Sequence, residues 1–398
     1  MPGNGTHRIY ADHAATTPVR DDVLAAMLPH FTQAGFNPSS IHAEGRRAKA
    51  ALDDARELAA RALGAAPREL VFTGGGSESI NLAILGSARA RRSERRHVVS
   101  AATEHHAVLH ALDVLRDEGF DVSILPVDAD GSVDIAEYSA ALRDDTALVT
   151  LMLANNELGT IHPIRELAAL AHTRGALFHT DAIQAVGRMP VDVRDLGVDL
   201  LSLAAHKFYG PKGVGLLYVR EGTALVPIVV GGGQEAGLRA GTENVAGIAG
   251  LACALELAVA ERDLEAKRLT SLREHFETTL LESVEDVRVN AQAAPRVAHI
   301  SSVAFAGIDA PTLLVRLDLD GIAASAGSAC AAGATEPSHV LRALGGPEWL
   351  GRGTIRFSFG RLTGRQEVND LLAMLPRIIQ SVRDSAPAVR VQQREVGR

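Results

Sequence analysis

Short apolar runs alternate with longer amphipathic patterns between about Asp21 and Leu257. This alternation is typical of strand–helix–strand units packed around a mainly parallel sheet. The predicted strands are Glu69–Thr73, His97–Ala101, Asp121–Pro126, Ala147–Leu153, Leu177–Thr180, Leu200–Leu203 and Gly215–Tyr218. The predicted helices between them include Ile41–Ala62, His106–Glu118 and Ile164–Thr173. The pattern indicates an α/β fold with helices on both faces of the sheet.

The pattern changes after Gly247, where an Ala-, Leu- and Glu-rich helical stretch runs to about Ser283. The predicted elements beyond it are an apolar run at Val297–Phe305, a helix near Ala310–Leu319 and a terminal helix over Gln366–Val382. A chain of 398 residues exceeds what one hydrophobic core usually holds. We therefore expect a large domain over residues 15–258 and a smaller α+β domain made of residues 1–14 and 259–398.

Composition and charge exclude several classes of protein. With 46% hydrophobic and 22% charged residues, the chain has the composition of a globular protein and not of a disordered one. A net charge of −8 argues against direct binding of nucleic acid, which depends on cationic surfaces. No apolar run approaches the ~18 residues that a membrane span needs, so no membrane association is expected. No secretory signal is visible at the N-terminus, and a cytoplasmic location is expected.

Cysteine and lysine are both scarce. The two cysteines, Cys253 and Cys330, are too few for a disulfide framework or a thiolate zinc site, and no metal is expected. Cys330 lies among small residues, from Ala324 to Ala334, so we expect an accessible and reactive thiol there. Cys253 lies in an apolar helical stretch and is expected to be buried and inert.

Two polar residues follow predicted strands of the sheet. Lys207 comes directly after an apolar strand, where a partly desolvated amine can form a Schiff base, although a surface lysine is the simpler interpretation. Asp181 ends another strand, where a buried carboxylate could keep a ring nitrogen protonated, although helix capping would also explain it. Because ligands bind at the carboxyl ends of parallel strands, the pair predicts a pyridoxal phosphate site.

Other candidates also follow strands. Gly74-Gly75-Gly76-Ser77 opens a helix whose amides could bind a phosphate, although such loops are often only turns. His105 could move protons over a cofactor or simply cap a helix. Asn156 could donate to a phenolic oxygen or belong to an ordinary turn. Arg356 lies within an apolar strand, where its guanidinium should meet a protein or substrate carboxylate.

Several motifs in order resemble the cysteine desulfurases of the class V aminotransferase family, which have the fold-type I architecture, and within them the nitrogen-fixation and iron–sulfur housekeeping branch. The resemblance spans nearly the whole chain. The motifs are Tyr10-Ala11-Asp12-His13-Ala14-Ala15-Thr16-Thr17-Pro18, Asn37-Pro38-Ser39-Ser40-Ile41-His42, Thr103-Glu104-His105, Asn155-Asn156-Glu157, Asp181-Ala182-Ile183-Gln184, His206-Lys207 and Gly327-Ser328-Ala329-Cys330.

The resemblance implies an enzyme that binds pyridoxal 5'-phosphate, converts L-cysteine to L-alanine and carries the sulfur as a persulfide on Cys330 to an acceptor protein. It implies that Lys207 and His105 are catalytic and that Arg356 and Asn37 bind substrate. The implied cofactor residues are Gly76, Ser77, His105, Asn156, Asp181, Gln184, His206 and Lys207, with Thr242 reaching the phosphate of the neighbouring subunit in a homodimer.

Two departures from the family pattern and three alternative functions accompany this interpretation. Ala204 stands where relatives usually have serine, and Gly76-Ser77 stands where Ala-Thr is common. A selenocysteine lyase, or another class V enzyme such as a transaminase, would share most of these residues. A non-catalytic scaffold in a sulfur-transfer complex would share the fold. The sulfur acceptor, whether for iron–sulfur clusters, tRNA or DNA thiolation or thio-cofactors, is left open by the sequence.

Overall fold

The computed structural model describes residues 8–32, 35–327 and 337–385. The strands in chain order are β1 Ile9–Tyr10, β2 Leu70–Thr73, β3 His97–Ala101, β4 Asp121–Leu125, β5 Thr146–Thr150, β6 Leu177–Asp181, β7 Leu200–Ala204, β8 Gly215–Val219, β9 Val287–Val289, β10 Ile300–Phe305, β11 Ile322–Ala323 and β12 Thr354–Ser358.

The α-helices in chain order are α1 Asp21–Met27, α2 Ala43–Leu63, α3 Gly76–Asn81, α4 Ser87–Ala90, α5 His106–Asp117, α6 Ile135–Ala141, α7 Ile164–Thr173, α8 Val193–Leu196, α9 Val245–Ser283, α10 Ala310–Leu319, α11 His339–Ala343, α12 Glu348–Arg352 and α13 Arg365–Ser385. A π-helical turn, Leu82–Gly86, connects α3 to α4. In the described part of the chain, no helix is both long enough and apolar enough to cross a bilayer.

The large sheet has seven strands in the order β2-β8-β7-β6-β5-β3-β4 within the described residues. Only β8 runs against its neighbours; the pairs β3/β4, β3/β5, β5/β6 and β6/β7 are all parallel. Most strands are buried along their full length, because helices cover both faces. The prediction of an α/β fold with a mainly parallel seven-stranded sheet is confirmed.

A second hydrophobic core lies outside this sheet. It is built around the antiparallel strands β12-β10-β9 and the short parallel pair β1 and β11. The 39-residue helix α9 connects the two cores, because Leu251 and Leu255 pack in the core of the large sheet and Leu272 and Phe276 pack in the second core. The N-terminal segment also divides, with Ile9 in the second core and Ala14 in the first.

A line of buried polar side chains crosses the large sheet. Ser79 Oγ on α3 donates to Ser202 Oγ on β7 at 2.8 Å, and His179 Nε2 on β6 lies 2.9 Å from the same hydroxyl. His179 Nδ1 lies 2.8 Å from Thr150 Oγ1 on β5. Burial lowers the pKa of His179 to about 3, so the imidazole is neutral and each of its nitrogens has a hydroxyl partner.

Candidate active site

Lys207 lies just beyond the carboxyl end of β7, in a single helical turn, Ala205–Lys207. Its Nζ donates to the carbonyl oxygens of Ala14 at 2.7 Å and Ala15 at 2.8 Å. The chain that follows β1 thus passes over the edge of the large sheet and contacts the lysine. The side chain is half-buried, so the structure does not place Lys207 on the open surface.

Asp181 ends β6, the parallel neighbour of β7, and is almost fully buried. Burial raises the pKa of its carboxyl group to about 6, and the positive charge of Lys207 opposes that rise. Its Oδ1 accepts from the Ile183 amide at 2.9 Å in a turn, and no helix begins there for Asp181 to cap. No described residue donates to its second oxygen. That oxygen can therefore accept from the protonated nitrogen of a bound ring.

A cavity of about 430 Å³ opens beside His206, the residue before Lys207. Its lining combines glycine backbone with hydroxyl and basic side chains: Thr16, Gly74, Gly75, Gly76, Ser77, Glu78, His206, Lys212 and Gly213. The first amides of α3 belong to Gly76 and Ser77 and have no partner within the helix, as at every helix start. Amides, a hydroxyl and a lysine around one cavity suit a phosphate group.

Close contacts pack the glycine loop of this cavity against β8 and Ile183. A methyl group on Gly215 of β8 would lie 2.6 Å from the carbonyl carbon of Gly75, so only glycine lets the loop approach the strand. A methyl group on Gly76 would lie 2.4 Å from Ile183 Cδ1 and 3.3 Å from Ala204 Cβ. The two departures from the family pattern, at Gly76 and Ala204, are therefore neighbours in space.

Two histidines beside Lys207 are neutral at pH 7. Burial, followed by the charge of Lys207, lowers the pKa of His105 to about 4, and the same two causes, with Lys212, lower the pKa of His206 to about 4. His206 Nδ1 lies 3.1 Å from Thr16 Oγ1. His105 Nδ1 accepts from the Ala107 amide at 3.1 Å and so caps α5, which leaves Nε2 for a ligand.

Gln184 and Asn156 lie at the same edge of the sheet as Asp181. Gln184 is buried and its Nε2 donates to Ala14 O at 2.8 Å, so Gln184 and Lys207 share one carbonyl oxygen. The turn interactions that the sequence suggested for Asn156 are made by Asn155, whose Oδ1 accepts from two following amides. No described residue bonds to the side chain of Asn156, which therefore has its donors free for a ligand.

Arg356 on β12 is 1% exposed and bonds to two protein groups. Its Nη2 donates to Asp12 Oδ1 at 2.9 Å and its Nη1 donates to the carbonyl oxygen of Asn156 at 2.7 Å. Its Nε is buried without a hydrogen-bond partner. The carboxylate expected from the sequence is thus present within the protein, and the guanidinium still has N–H groups to offer a further carboxylate.

Cys330 lies outside the described residues, between Gly327 and Pro337. The described residues on both sides approach the site. Before it, Ser325 pairs with Arg356, and a methyl group on Gly327 would lie 2.5 Å from Glu157 Oε2. After it, His339 Nε2 lies 2.8 Å from the carbonyl oxygen of Glu104, the residue before His105.

Two predicted site residues are not brought to the others. Thr242 is exposed; the same segment is held near the cavity because Arg239 Nε donates to Glu78 Oε1 at 2.8 Å. Asn37 is exposed, and its Oδ1 accepts from the Ser39 amide in a local turn. Among the described residues, no hydrogen bond joins either side chain to the site.

Sequence reasoning missed several residues that shape the site. Thr16 and Lys212 line the cavity, and Asp12 pairs with Arg356. The paired hydroxyls of Thr16-Thr17 after an Ala-Ala step were the available signal for Thr16. Among the described residues, no group of histidine, cysteine and carboxylate side chains could hold a metal ion.

Comparison with known proteins gives concordant results. The profile of the family Aminotransferase class-V matches residues 9–371. Cysteine desulfurase IscS of Dictyoglomus turgidum is 47% identical over 379 residues, which cover 95% of this chain and 96% of that protein. A solved NifS-like protein aligns with a TM-score of 0.88 at 36% identity, covering 94% of this chain and 100% of the other. A structure of SspA in complex with cysteine aligns with a TM-score of 0.78 at 38% identity, covering 88% of this chain and 98% of the other.

Proposed function

Since this chain belongs to the class-V aminotransferase family, we propose that it is a cysteine desulfurase that depends on pyridoxal phosphate, converts L-cysteine to L-alanine and transfers the sulfur to an acceptor. The family membership expected from the motifs is confirmed. The observation that carries the proposal is the placement of Lys207 and Asp181 on adjacent strand ends, beside a cavity lined by helix-start amides.

The described residues suit pyridoxal phosphate on three sides. Gly76, Ser77 and His206 surround the cavity that would hold the phosphate. Asp181 offers its second oxygen to the ring nitrogen, and the amine of Lys207 would anchor the cofactor covalently. When bound, the cofactor supplies an electron-withdrawing ring that takes up the electron pair released at the α-carbon of an amino acid.

The remaining ring contacts come from residues with free donors. Asn156 and Gln184 lie where their amide N–H groups can face the phenolic oxygen, and His105 offers Nε2 over the same edge. His105 is neutral near pH 7, because its pKa is about 4, and since its Nδ1 accepts from the Ala107 amide, its proton lies on Nε2, which can donate to a ligand. These three residues orient the ring and move protons.

Arg356 would hold the substrate. Its guanidinium is fixed by Asp12 and the Asn156 carbonyl, and the N–H groups that remain can bind the α-carboxylate of cysteine. Asn37, whose exposed side chain accepts from the Ser39 amide in a local turn, is proposed as a second residue that binds the substrate. When it is not holding the cofactor, the amine of Lys207 would be the base that takes the α-proton of the substrate.

Cys330 would receive the sulfur. The thiolate attacks the substrate sulfur, the Cβ–S bond breaks, the electron pair stays on the carbon side, and the product leaves as alanine after protonation. The support is the position of the residues on either side, since Ser325 pairs with Arg356 and His339 contacts Glu104. The persulfide could then be passed to an acceptor protein.

The assembly and location are also proposed. A homodimer would place Thr242 of one chain near the phosphate bound by the other. The division into residues 15–258 and residues 1–14 with 259–398 is supported by the two hydrophobic cores joined through α9. The low cysteine content is in keeping with a cytoplasmic protein that has no disulfide framework.

The deciding experiment measures both products of the purified protein loaded with pyridoxal phosphate. With L-cysteine and a thiol reductant, alanine and sulfide should form in equal amounts. A transaminase would instead form a keto acid that depends on an added amino-group acceptor, and a scaffold would form neither product. A comparison with L-selenocysteine at equal concentration separates a selenocysteine lyase from a desulfurase. Equal or faster selenide release would favour the lyase.

A further inference from the structure

The side-chain amide of Gln184 is bonded at both ends. Its Nε2 donates to the carbonyl oxygen of Ala14 at 2.8 Å, and its Oε1 lies 3.2 Å from His299 Nε2. Gln184 is 5% exposed and His299 is 1% exposed. His299 lies immediately before β10, 115 residues further along the chain than Gln184. A residue next to a strand of the three-stranded sheet thus reaches a residue of the predicted cofactor site.

The orientation of the amide follows from the Ala14 carbonyl, which can only accept a hydrogen bond. The nitrogen of Gln184 must face that carbonyl, because the opposite orientation would set two oxygens against each other. The oxygen of Gln184 therefore faces His299, and His299 must donate. Only the tautomer of His299 that carries its proton on Nε2 satisfies this arrangement.

The surroundings of His299 lead to the same tautomer independently. Full burial lowers the pKa of His299 well below its usual value, and the charges of Arg188 and Arg356 act in the same direction, so the imidazole is neutral. Its Nδ1 is buried without a hydrogen-bond partner. A proton on Nδ1 would leave a buried donor unsatisfied, whereas a bare lone pair there costs less.

We propose that His299 is a positioning residue for the cofactor site: by donating from Nε2 to Gln184 Oε1, it turns the amino group of Gln184 toward the phenolic oxygen of bound pyridoxal phosphate. This inference rests on the proposed function. One N–H of Gln184 is used by Ala14, and the second has no partner among the described residues. Because Lys207 Nζ bonds to the same Ala14 carbonyl, the amino group of Gln184 lies close to the amine proposed to anchor the cofactor.

The side chain of His299 can be changed without removing its backbone contact. The amide of Phe359 donates to the carbonyl oxygen of His299 at 2.9 Å, and that bond remains with any side chain. His299→Phe removes the donor and keeps a ring of similar size. His299→Gln keeps an N–H donor that can reach Gln184. The two variants therefore separate the hydrogen bond from the filling of space.

The spectrum of the bound cofactor tests the inference. His299→Phe should weaken pyridoxal phosphate binding by about 3- to 10-fold, the usual effect of losing one hydrogen bond. The pH midpoint of the cofactor's visible absorption should shift upward, because the phenolic oxygen loses a donor and holds more negative charge. His299→Gln should restore both values toward wild type. Equal shifts in the Phe and Gln variants would refute the role of the donor.

A double-mutant cycle tests whether His299 acts through Gln184. In a Gln184→Leu background, His299→Phe should change the absorption midpoint no further. Additive shifts in the double variant would overturn the inference. Thermal unfolding of each apoprotein, followed by circular dichroism, verifies that the variants are folded before they are loaded.

The tautomer of His299 can be measured in the apoprotein, without bound cofactor. Long-range ¹H–¹⁵N spectra of the ¹⁵N-histidine-labelled apoprotein, with His299 assigned by its absence in the Gln variant, should show the Nε2–H form. The Nδ1–H form would overturn the inference. If the wild-type protein takes up no pyridoxal phosphate, the proposed function fails, while this spectrum still decides the geometry of His299.

Discussion

Ser325 and Arg356 exchange two backbone hydrogen bonds, each amide donating to the other's carbonyl oxygen, at 3.2 and 2.6 Å. The chain that leads to Cys330 is therefore joined to the strand that carries the arginine proposed to hold the substrate carboxylate. A bound amino acid on Arg356 would be close to the point from which the cysteine segment departs. This relationship makes the role of Cys330 directly testable.

Cys330→Ala should retain the visible absorption of bound pyridoxal phosphate and lose sulfide release from L-cysteine in the presence of a reductant. The reason is that the thiolate that accepts the sulfur is gone while the cofactor contacts remain. Spectra and sulfide assays on the same preparation check both parts. Cys253→Ala is the matched control, because Cys253 lies on α9, half-buried and not fully buried as the sequence predicted, and the variant should behave as wild type. Unchanged sulfide release by Cys330→Ala would contradict the assignment.

Lys207→Ala should lose the visible absorption band of the lysine-bound cofactor. The amine is the group proposed to anchor the cofactor, and the other described lysines are not placed at the end of β7. Ultraviolet and visible spectra after reconstitution and gel filtration measure the loss. Lys267→Ala on the exposed side of α9 is the control and should give the wild-type spectrum. A wild-type spectrum for Lys207→Ala would refute the assignment.

Asp181→Asn should make the apoprotein more stable at pH 8, by on the order of 3 kcal/mol. Burial raises the pKa of Asp181 to about 6 in the folded protein from 3.8, so folding binds a proton between these values. Its contribution to stability is therefore present below pH 3.8 and lost as the pH rises through about 6. Urea unfolding of both apoproteins checks this: the advantage of the variant should shrink as the pH falls below 6.

The same substitution should impair the loaded enzyme, because an amide does not stabilise a protonated ring nitrogen as a carboxylate does. A variant that is more stable as apoprotein and slower as holoenzyme is the expected combination. A less stable apoprotein at pH 8 would contradict the electrostatic description of Asp181.

His105→Gln should lower kcat by about 100-fold at full cofactor occupancy, the usual contribution of one acid–base group. Glutamine keeps a polar side chain and cannot take up a proton. Steady-state kinetics with L-cysteine, corrected for bound cofactor, provide the measurement. His106→Gln is the neighbouring control and should retain most of its activity. Similar losses in both variants would indicate an effect on the start of α5 and not on catalysis.

The apolar pattern predicted the strands of the large sheet closely, because burial on both faces leaves continuous runs of apolar residues. The predicted strands were too long where the chain stays buried outside the sheet. The run Ala147–Leu153 continues past Thr150, the end of β5, and Val297–Phe305 begins before β10, which starts at Ile300. Val297 instead bonds to the carbonyl oxygen of Gly159 in a loop. Hydropathy reports burial and not strand pairing.

The candidate site was predictable where chemistry is carried by distinctive side chains. Lys207 and Asp181 could be found because each follows a strand. The contribution of Ala14 could not, because it acts through its carbonyl oxygen and its methyl group carries no signal. The pair of Asp12 and Arg356 joins residues 344 positions apart, which only the folded chain brings together. The role of His299 was not predicted either, because His299 and Gln184 are far apart in the sequence and only the folded chain brings them together.

The polar line from Ser79 through Ser202 and His179 to Thr150 has a consequence for how the sheet is assembled. Each bond in that line exists in a single alignment of α3, β7, β6 and β5. A shift of one strand by one residue would turn its hydroxyl or imidazole to the opposite face of the sheet. The neighbouring polar groups would then be buried without hydrogen-bond partners in an apolar interior. The buried polar line thus fixes the ends of β6 and β7 relative to each other, and with them the carboxylate and the amine on which the proposed chemistry depends.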